Sequence, residues 1–248
     1  MASRSSAAAP RRPKPPFARR RGDRPVAYRL GWLLGKAVLW FIVGSVIWVL
    51  AYAVINPPVT ATMLINRDGI RQSWRPIERI DPVMAQAVIA GEDARFCTHR
   101  GFDADAIAAA FVRNLSGGRI RGGSTISQQT AKNAFLWQGG GYFRKGLEAW
   151  FTLLIETIWG KRRIMEVYLN IAETGIGTYG VEAGAQRYFR KSAANLSRAE
   201  AARIAAVLPL PQRRAAIAPR GFTRRYGNAI LARSRLIARE GGDACLRD

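Results

Sequence analysis

The sequence predicts a mostly α-helical domain that follows a single membrane-spanning helix. Residues 37–55 form an uncharged apolar run, and the chain beyond them alternates apolar stretches at helical spacing with Gly and Pro. Period-two runs of β-branched residues, which would indicate strands, are lacking. The segment after the run, residues 57–248, is long enough for one domain with a sizeable core.

The N-terminal segment carries a strong charge asymmetry. Residues 1–36 contain ten Lys or Arg and one Asp among many Pro and Ala, which predicts a basic disordered tail. The apolar run would measure about 28 Å as a helix, close to a hydrocarbon thickness of roughly 30 Å, and predicts a transmembrane anchor over residues 37–56. Because cations precede the anchor, we expect a cytoplasmic N-terminus and an outer domain at residues 57–248.

A cleaved signal peptide is the alternative interpretation of this segment. Ala51, Tyr52 and Ala53 have the small-x-small pattern of a cleavage site. The apolar run is longer than the usual core of ~7 to 15 residues, which favours a retained anchor.

The formal charge of +22 predicts an anionic partner. More than half of this charge lies after residue 36, in the domain expected outside the cytoplasm, so lipid headgroups and phosphates are favoured over nucleic acid. One His with Cys97 and Cys245 supplies neither a zinc cluster nor a disulfide framework. Whether the two cysteines pair is left open. Chemistry must therefore rest on carboxylates, amides, hydroxyls and cations.

Apolar periodicity and capping signals predict the helices of the outer domain. The capping box Ser197-x-x-Glu200 marks one helix start, and Pro209 marks its end. Residues 114–133 are rich in Gly, Ser, Thr and Gln, which predicts a mobile loop beside a polar, cationic groove. The other predicted helices are the apolar stretch before Glu92, a segment capped by Asp103 that runs to about Leu115, and residues 146–158, 161–172 and 223–239.

Three clusters carry candidate chemistry. The first pairs Glu92 with Asp93 near His99, and adjacent carboxylates suggest that one is desolvated, although a solvated helix end is the alternative. The second cluster comprises Ser124, Thr125, Gln128, Gln129 and Lys132. Its side chains and the Gly backbone amides can bind sugar hydroxyls or phosphate oxygens, and the alternative is a loop before a capped helix.

The third cluster comprises Arg144, Lys145 and Glu148. It contains two cations and a carboxylate, and the alternative to a functional site is a surface salt bridge.

Four motifs in order resemble one known family. They are EDxxFxxHxG at 92–101, GGSTIxQQ at 122–129 followed by Lys132 and Asn133, RKxxE at 144–148, and KxxIxExYLN at 161–170. Together they resemble the peptidoglycan glycosyltransferases of glycosyltransferase family 51, over about residues 80–215. Ser127 and Met165 stand where the family usually has Thr and Leu. After residue 170 there is neither an SxxK nor a KTG motif, so the chain resembles the monofunctional form, an inner-membrane protein in Gram-negative bacteria.

The resemblance implies a lysozyme-like glycosyltransferase fold that polymerises lipid II by inverting transfer and releases undecaprenyl pyrophosphate. It implies that Glu92 is the catalytic base and Glu148 a second essential Glu, which positions Arg144 or Lys145 or binds pyrophosphate through a divalent cation such as Mg²⁺. By the same resemblance Lys132, Arg144 and Lys145 line the phosphate region. The candidate contacts for sugar or phosphate are Ser124, Thr125, Gln128 and Gln129. Asp93 is a candidate for the metal site, although no ligand spacing demands one, and His99 is expected to orient the first motif.

The implied partners are lipid II, the growing glycan chain, membrane lipids and other cell-wall synthesis or division proteins. Two alternatives remain open. A lytic transglycosylase or muramidase would cleave the same polymer, but a glycosidase has little use for the cations of RKxxE or Lys132. A membrane-anchored scaffold would keep the fold without needing Glu92 or these cations.

Overall fold

The computed structural model of the chain describes residues 26–65, 68–105, 108 and 123–247. The described residues fall into two compact units, which divide between Gly44 and Ser45. Helix α1 (Val26–Val54) begins after Pro25 and ends before Pro57. It is long and apolar enough to cross a membrane, and an 18-residue stretch of it has a mean hydropathy of 2.3.

The predicted boundary of the tail needs a correction. Residues 26–36 are helical and belong to α1, so the disorder predicted for them is wrong. No Pro interrupts the chain between Pro25 and Pro57, so the helix of the anchor extends back through residues 26–36, many of which are apolar. The rest of the predicted tail, residues 1–25, lies outside the described residues.

The second unit is mostly helical, as predicted. The capping box at Ser197 and Glu200 is confirmed, since the Ser197 hydroxyl accepts from the Glu200 amide and the Glu200 carboxylate accepts from the Ser197 amide. The helix predicted after Asp103 lies largely outside the described residues. The helices are α2 (Ala61–Ile65), α3 (Pro82–Glu92), α4 (Ile126–Phe135), α5 (Gly141–Ile158), α6 (Lys161–Ile171), α7 (Val181–Phe189), α8 (Arg198–Val207) and α9 (Gly221–Glu240), with 3₁₀ turns at Ile77–Arg79, Ala193–Asn195 and Ala244–Leu246.

Helix α4 corrects the prediction of a loop over residues 114–133. Thr125 and Gln128 form a capping box at its start, and Ile126, Ser127 and Ala131 are buried in the domain. The polar composition of this stretch favours a loop, but one face of α4 carries its small and apolar residues. Residues 114–122 lie outside the described residues.

A small sheet was not predicted. It comprises β1 (Arg71–Gln72), β2 (Glu173–Gly175) and β3 (Thr178–Tyr179), in the order β1-β3-β2. Strand β3 runs parallel to β1 and antiparallel to β2, with Arg71 opposite Thr178 and Glu173 opposite Tyr179. Strands of two or three residues are too short to show a period-two pattern.

Helix α3 forms the centre of the core and carries the first motif at its C-terminal end. Residues 84–90 of this helix are buried, and they pack against α8 and α9. Asp81 caps the start of α3 through the amide of Val83, and Pro82 occupies the first helical position. The core thereby fixes the position of Glu92, the last residue of α3.

The last turns of α1 belong to the second unit and are built into its core. Tyr52 stacks on Phe135 with ring centroids 5.5 Å apart, and the Trp159 indole donates to the carbonyl of Val49 at 2.9 Å. The Arg163 guanidinium donates to the carbonyls of Tyr52 at 2.9 Å and Ile55 at 3.0 Å. A cation thus satisfies carbonyls that the helix end leaves without partners.

A disulfide joins Cys97 to Cys245, which settles the question that the sequence left open. The bond links the first motif to the 3₁₀ turn near the C-terminus across 148 residues of sequence. It therefore holds the loop after Glu92 against the end of the chain.

Candidate active site

The Glu92 carboxylate lies at the C-terminal end of α3, and its two oxygens have different surroundings. Its Oε2 accepts a hydrogen bond from Gln129 Nε2 at 2.9 Å. Its Oε1 is buried and has no hydrogen-bond partner among the described residues. A buried acceptor without a partner is costly, and a role in catalysis is one reason for which native structures keep such an atom.

Burial raises the pKa of Glu92 above its ordinary value, since a charge is disfavoured away from water. The neighbouring charge of Asp93 acts in the same direction, whereas the Gln129 hydrogen bond and the positive charges of Arg214 and Lys132 oppose it. The result is a carboxylate whose affinity for a proton is increased, as a general base requires.

Gln129 is itself held by the fourth motif. The Tyr168 hydroxyl of α6 donates to Gln129 Oε1 at 3.3 Å, while the amide nitrogen of Gln129 donates to Glu92. Tyr168 is fully buried, and burial raises the pKa of its hydroxyl well above the ordinary value, so it stays protonated. The three side chains therefore form a continuous hydrogen-bonded row that ends at Glu92.

Asp93 and His99 fix the loop that follows Glu92. His99 Nε2 lies 2.9 Å from both carboxylate oxygens of Asp93, and His99 Nδ1 accepts from the amide of Gly101 at 3.1 Å. This pattern places the imidazole proton on Nε2. Asp93 also accepts from the Ile126 amide at 3.0 Å, and Gly101 has φ +86° with no room for a Cβ beside Thr152. The geometry makes His99 an orienting side chain.

Thr125 and Gln128 occupy structural positions between the first and second motifs. The Thr125 hydroxyl donates to the carbonyl of Gly101 at 2.6 Å and accepts from the Gln128 amide, while the Thr125 amide donates to Gln128 Oε1 at 3.0 Å. Both residues are buried. The structure thus gives them a role in holding α4 to the loop, and their predicted contact with sugar or phosphate stays a prediction.

Glu148 differs from Glu92 in its partners. It is 2% exposed, and its Oε2 accepts from the Arg144 guanidinium at 2.6 Å while its Oε1 pairs with the Lys145 ammonium. Lys145 also donates to the Ser124 hydroxyl at 3.3 Å, and Ser124 is exposed. Both oxygens of Glu148 are therefore bound to cations, which points to its positioning the two cations.

Lys132 lies between the two carboxylate environments. Burial lowers the pKa of its ammonium, as do the charges of Arg144 and Lys145, and the charges of Glu148 and Glu92 oppose this effect. Among the described residues Lys132 makes no ion pair with a carboxylate within 4.0 Å. Its charge is thus available to an anion. We define Lys132, Arg144 and Lys145 as the cation cluster.

Two cavities lie beside the pair formed by Glu92 and Gln129, and each cavity is lined by one of these residues. One has a volume of 620 Å³ and is lined by Gln129 and Lys132, together with α2 and the segment 208–213. The other has a volume of 360 Å³ and is lined by Glu92 and Ser124. A transfer between two substrates needs space for both of them close to the base, and these cavities are candidates for it.

The carboxylates proposed for a divalent cation do not fit it as direct ligands. Both oxygens of Glu148 pair with cations, and both oxygens of Asp93 face His99. Within the described part of the chain, no group of three or more His, Cys, Asp or Glu side chains is placed to hold a metal ion. No step through a metal is therefore derived.

Two neighbours of the base were not predicted as site residues. The sequence places Tyr168 in a predicted helix and in the fourth motif but does not mark it as a site residue. Arg214 lies in the segment after α8, and its positive charge lowers the pKa of Glu92. Its guanidinium lies over the rings of Phe222 and Tyr226, 5.1 and 5.6 Å from their centroids. No local pattern marks Arg214, because its proximity to Glu92 arises only from the packing of α8 and α9 on α3.

Comparison with known proteins agrees with this geometry. A family model described as Transglycosylase matches residues 60–235. A protein of Caulobacter vibrioides named biosynthetic peptidoglycan transglycosylase is 50% identical over 217 residues, which cover 86% of this chain and 95% of the relative. Proteins of the same name from Pseudomonas syringae and Rhodospirillum centenum are 47% and 49% identical, over 86% and 80% of this chain and 92% and 87% of their own lengths.

The match extends over most of the chain and includes all the residues of the site described above. The sequence resemblance is therefore confirmed, the domain has the lysozyme-like glycosyltransferase fold, and the chain belongs to the transglycosylase family.

Proposed function

We propose that this protein is a peptidoglycan glycosyltransferase that polymerises lipid II into linear glycan strands by inverting transfer, with release of undecaprenyl pyrophosphate. The proposal rests on the buried Oε1 of Glu92, which has no hydrogen-bond partner among the described residues, and on the charge of Lys132, which lies close enough to Glu92 to affect its pKa. The relatives named biosynthetic peptidoglycan transglycosylase support the same reaction.

Glu92 serves as the general base in this proposal. As the 4-hydroxyl of the acceptor sugar attacks the anomeric carbon of the donor, its proton passes to Glu92 Oε1. The donor is α-linked to pyrophosphate and the product is β-linked, so a single displacement accounts for the inversion. One base is sufficient for this step, and burial gives Glu92 the raised pKa that the step needs.

The cation cluster assists the leaving group. Pyrophosphate departs as an anion that needs no general acid, and fixed positive charges stabilise it as its charge develops. Glu148 holds Arg144 and Lys145 in place from a buried position. Because one buried carboxylate holds both cations, their geometry is set before the substrate binds.

The assay that tests this proposal is incubation of the purified full-length protein with lipid II, followed by separation of the products by size. We expect lengthened lipid-linked glycan and released undecaprenyl pyrophosphate, and no digestion of isolated cell wall. A lytic enzyme would give the reverse pattern, shortening finished glycan and ignoring lipid II. The reverse pattern would contradict the proposed function.

We also propose that α1 is retained as an inner-membrane anchor, with a cytoplasmic N-terminus and the catalytic domain in the periplasm. The cations before the apolar run support this orientation. The disulfide between Cys97 and Cys245 suits an oxidising compartment. Cleavage after Ala53 would remove Val49 and Tyr52 from contacts in the core of the domain.

A reporter fused after Asp248 tests this orientation. A reporter that works only outside the cytoplasm should be active, and one that works only inside should be silent. N-terminal sequencing of the mature protein should find residues before Val54. A mature chain that begins at Val54 would contradict the retained anchor.

The remaining proposed partners follow from the reaction and the anchor. Lipid II and the growing glycan chain both carry a polyprenyl tail that stays in the bilayer, so the anchor keeps the domain near its substrates, and basic side chains favour anionic headgroups. Binding to other cell-wall synthesis or division proteins stays a prediction, as does a divalent cation bound through the pyrophosphate oxygens.

A further inference from the structure

We infer that Tyr168 is a positioning residue for the catalytic base, and that it acts through Gln129 to determine which oxygen of Glu92 accepts the proton. The inference rests on the proposed function and deepens it. We define the row Tyr168, Gln129 and Glu92 as the relay. Its two hydrogen bonds join α6, α4 and α3, so the relay links the fourth, second and first motifs.

The direction of the relay follows from what each group can donate. An ionised carboxylate only accepts hydrogen bonds, so the Gln129 amide must present its nitrogen to Glu92. The amide oxygen then faces Tyr168, whose protonated hydroxyl is the donor that it requires. The opposite orientation of the amide would set an oxygen against the carboxylate and leave the amide nitrogen on the hydroxyl side.

This direction determines the fate of the proton. Oε2 of Glu92 is engaged by Gln129 at 2.9 Å, and Oε1 is left free of partners among the described residues. The acceptor O–H bond breaks, its proton bonds to Oε1, and the acceptor oxygen bonds to the anomeric carbon while pyrophosphate leaves with the bonding electron pair. Neutral Glu92 still accepts from Gln129 through Oε2, so the relay is unchanged after the transfer.

Burial fixes the position of the Tyr168 side chain, so its hydroxyl can hold the Gln129 amide in one orientation. Tyr168 is 1% exposed, it lies on α6, and its hydroxyl contacts Gln129 Oε1. Without it, the amide oxygen of Gln129 would be left without that donor, and the amide would lose the constraint that holds its nitrogen on Glu92. The hydrogen bond that favours the ionised form of Glu92 would then weaken.

Other groups also face Glu92, and they must be separated from the relay. Asp93 follows it in the chain, Lys132 approaches from α4, Arg214 from the segment after α8, and Tyr226 from α9. The Tyr226 hydroxyl donates to the carbonyl of Gly91 at 2.7 Å and is not part of the relay. It is therefore a matched control, since it is a tyrosine hydroxyl beside the end of α3.

The experiment compares full-length wild-type, Tyr168→Phe and Tyr226→Phe proteins in detergent micelles. The glutamate side chains carry a ¹³C label at the carboxyl carbon, and the signal that Glu92→Gln removes identifies Glu92. We expect Tyr168→Phe to move the Glu92 titration upward by about one pH unit and Tyr226→Phe to leave it in place. Polymerisation should show a kcat about tenfold lower for Tyr168→Phe, with KM for lipid II unchanged and the acid limb of the pH profile moved upward.

A double-mutant cycle isolates the relay. Gln129→Ala should shift the Glu92 titration in the same direction, and Tyr168→Phe should add nothing in the Gln129→Ala background. Additive effects would overturn the relay, as would an unchanged titration in Tyr168→Phe or an equal shift in Tyr226→Phe.

Thermal unfolding shows whether Tyr168→Phe folds. If it does not, Gln129→Ala and Gln129→Met carry the titration test, and an unmoved Glu92 signal in both variants overturns the inference. Because the titration needs no activity, a wild-type protein that does not polymerise lipid II contradicts the proposed function alone.

Discussion

Glu92 and Glu148 are both shielded from solvent, yet their surroundings are opposite. Glu92 has one neutral amide donor and one oxygen without a partner among the described residues. Glu148 has a cation on each oxygen. Burial alone therefore does not make a base. The partners decide whether a buried carboxylate takes up a proton or holds positive charge in place.

The largest effect that this comparison predicts is on chain growth. Glu92→Gln should keep the fold and lipid II binding but abolish polymerisation, because Gln preserves the shape and cannot take the proton. A general base contributes about 10² to 10⁴ in rate, so the loss should be plain in a single-time-point gel. If Glu92→Gln polymerises at the wild-type rate, Glu148 becomes the leading candidate for the base.

The next effect tests whether the cations serve the substrate or only Glu148. Arg144→Ala and Lys145→Ala should each lower kcat about 10²-fold, since each removes a charge that faces the departing pyrophosphate. Lys191→Ala is the control, because it breaks an ion pair with Glu200 at 2.8 Å that lies outside the site. Normal polymerisation by both Arg144→Ala and Lys145→Ala would reduce their motif to a salt bridge.

Stability should change in opposite directions for the two carboxylates. Glu148→Gln breaks a buried ion pair and should lower the free energy of unfolding by about 3 kcal/mol. Glu92→Gln removes a buried charge with an unpartnered oxygen and should raise it by about 1 kcal/mol near neutral pH. Denaturant titration of both variants in detergent measures these changes. A destabilising Glu92→Gln would show that its carboxylate is satisfied and would remove the contrast with Glu148.

The helices were largely predictable because their signals are local. The box at Ser197 and Glu200 and the apolar stretch before Glu92 each lie within one turn or one helix, and both predictions hold. The loop predicted over residues 114–133 is wrong at α4 because Thr125-x-x-Gln128 is a capping box in a Gly-rich context. The box is visible in the sequence, but composition outweighed it.

The partners within the site were not predictable from the residues alone. The contact of Tyr168 with Gln129 spans 39 residues, that of Gln129 with Glu92 spans 37, and the disulfide spans 148. Such pairs form only when separate helices pack together. The motifs located the candidate residues through family resemblance. Tertiary packing determined that Thr125, Gln128 and Asp93 bind within the protein, while one oxygen of Glu92 has no partner in the described part of the chain.

The smallest predicted effect is on the pH dependence of the polymerisation rate, which reflects the protonation of Glu92 and of Lys132. Activity needs ionised Glu92, whose pKa is raised from 4.5, so the rate should fall as the pH drops toward that raised value, about tenfold per pH unit at the limit. Activity also needs protonated Lys132, whose pKa is lowered from 10.5, so the rate should fall again as the pH rises through it.

Lys132→Arg separates the two limbs of this profile. Arg stays charged throughout, so this variant should lose the alkaline limb and keep the acid limb.

The pH dependence of the free energy of unfolding gives an independent check on the pKa of Glu92. Because the pKa of Glu92 is raised on folding, its contribution to stability is present below the unfolded pKa and is lost as the pH rises through the folded pKa. The stabilising effect of Glu92→Gln should therefore grow from pH 4 to pH 8. A stabilisation that shrinks over this range would mean that the folded protein favours the ionised carboxylate, which would contradict the raised pKa of Glu92 and its assignment as the base.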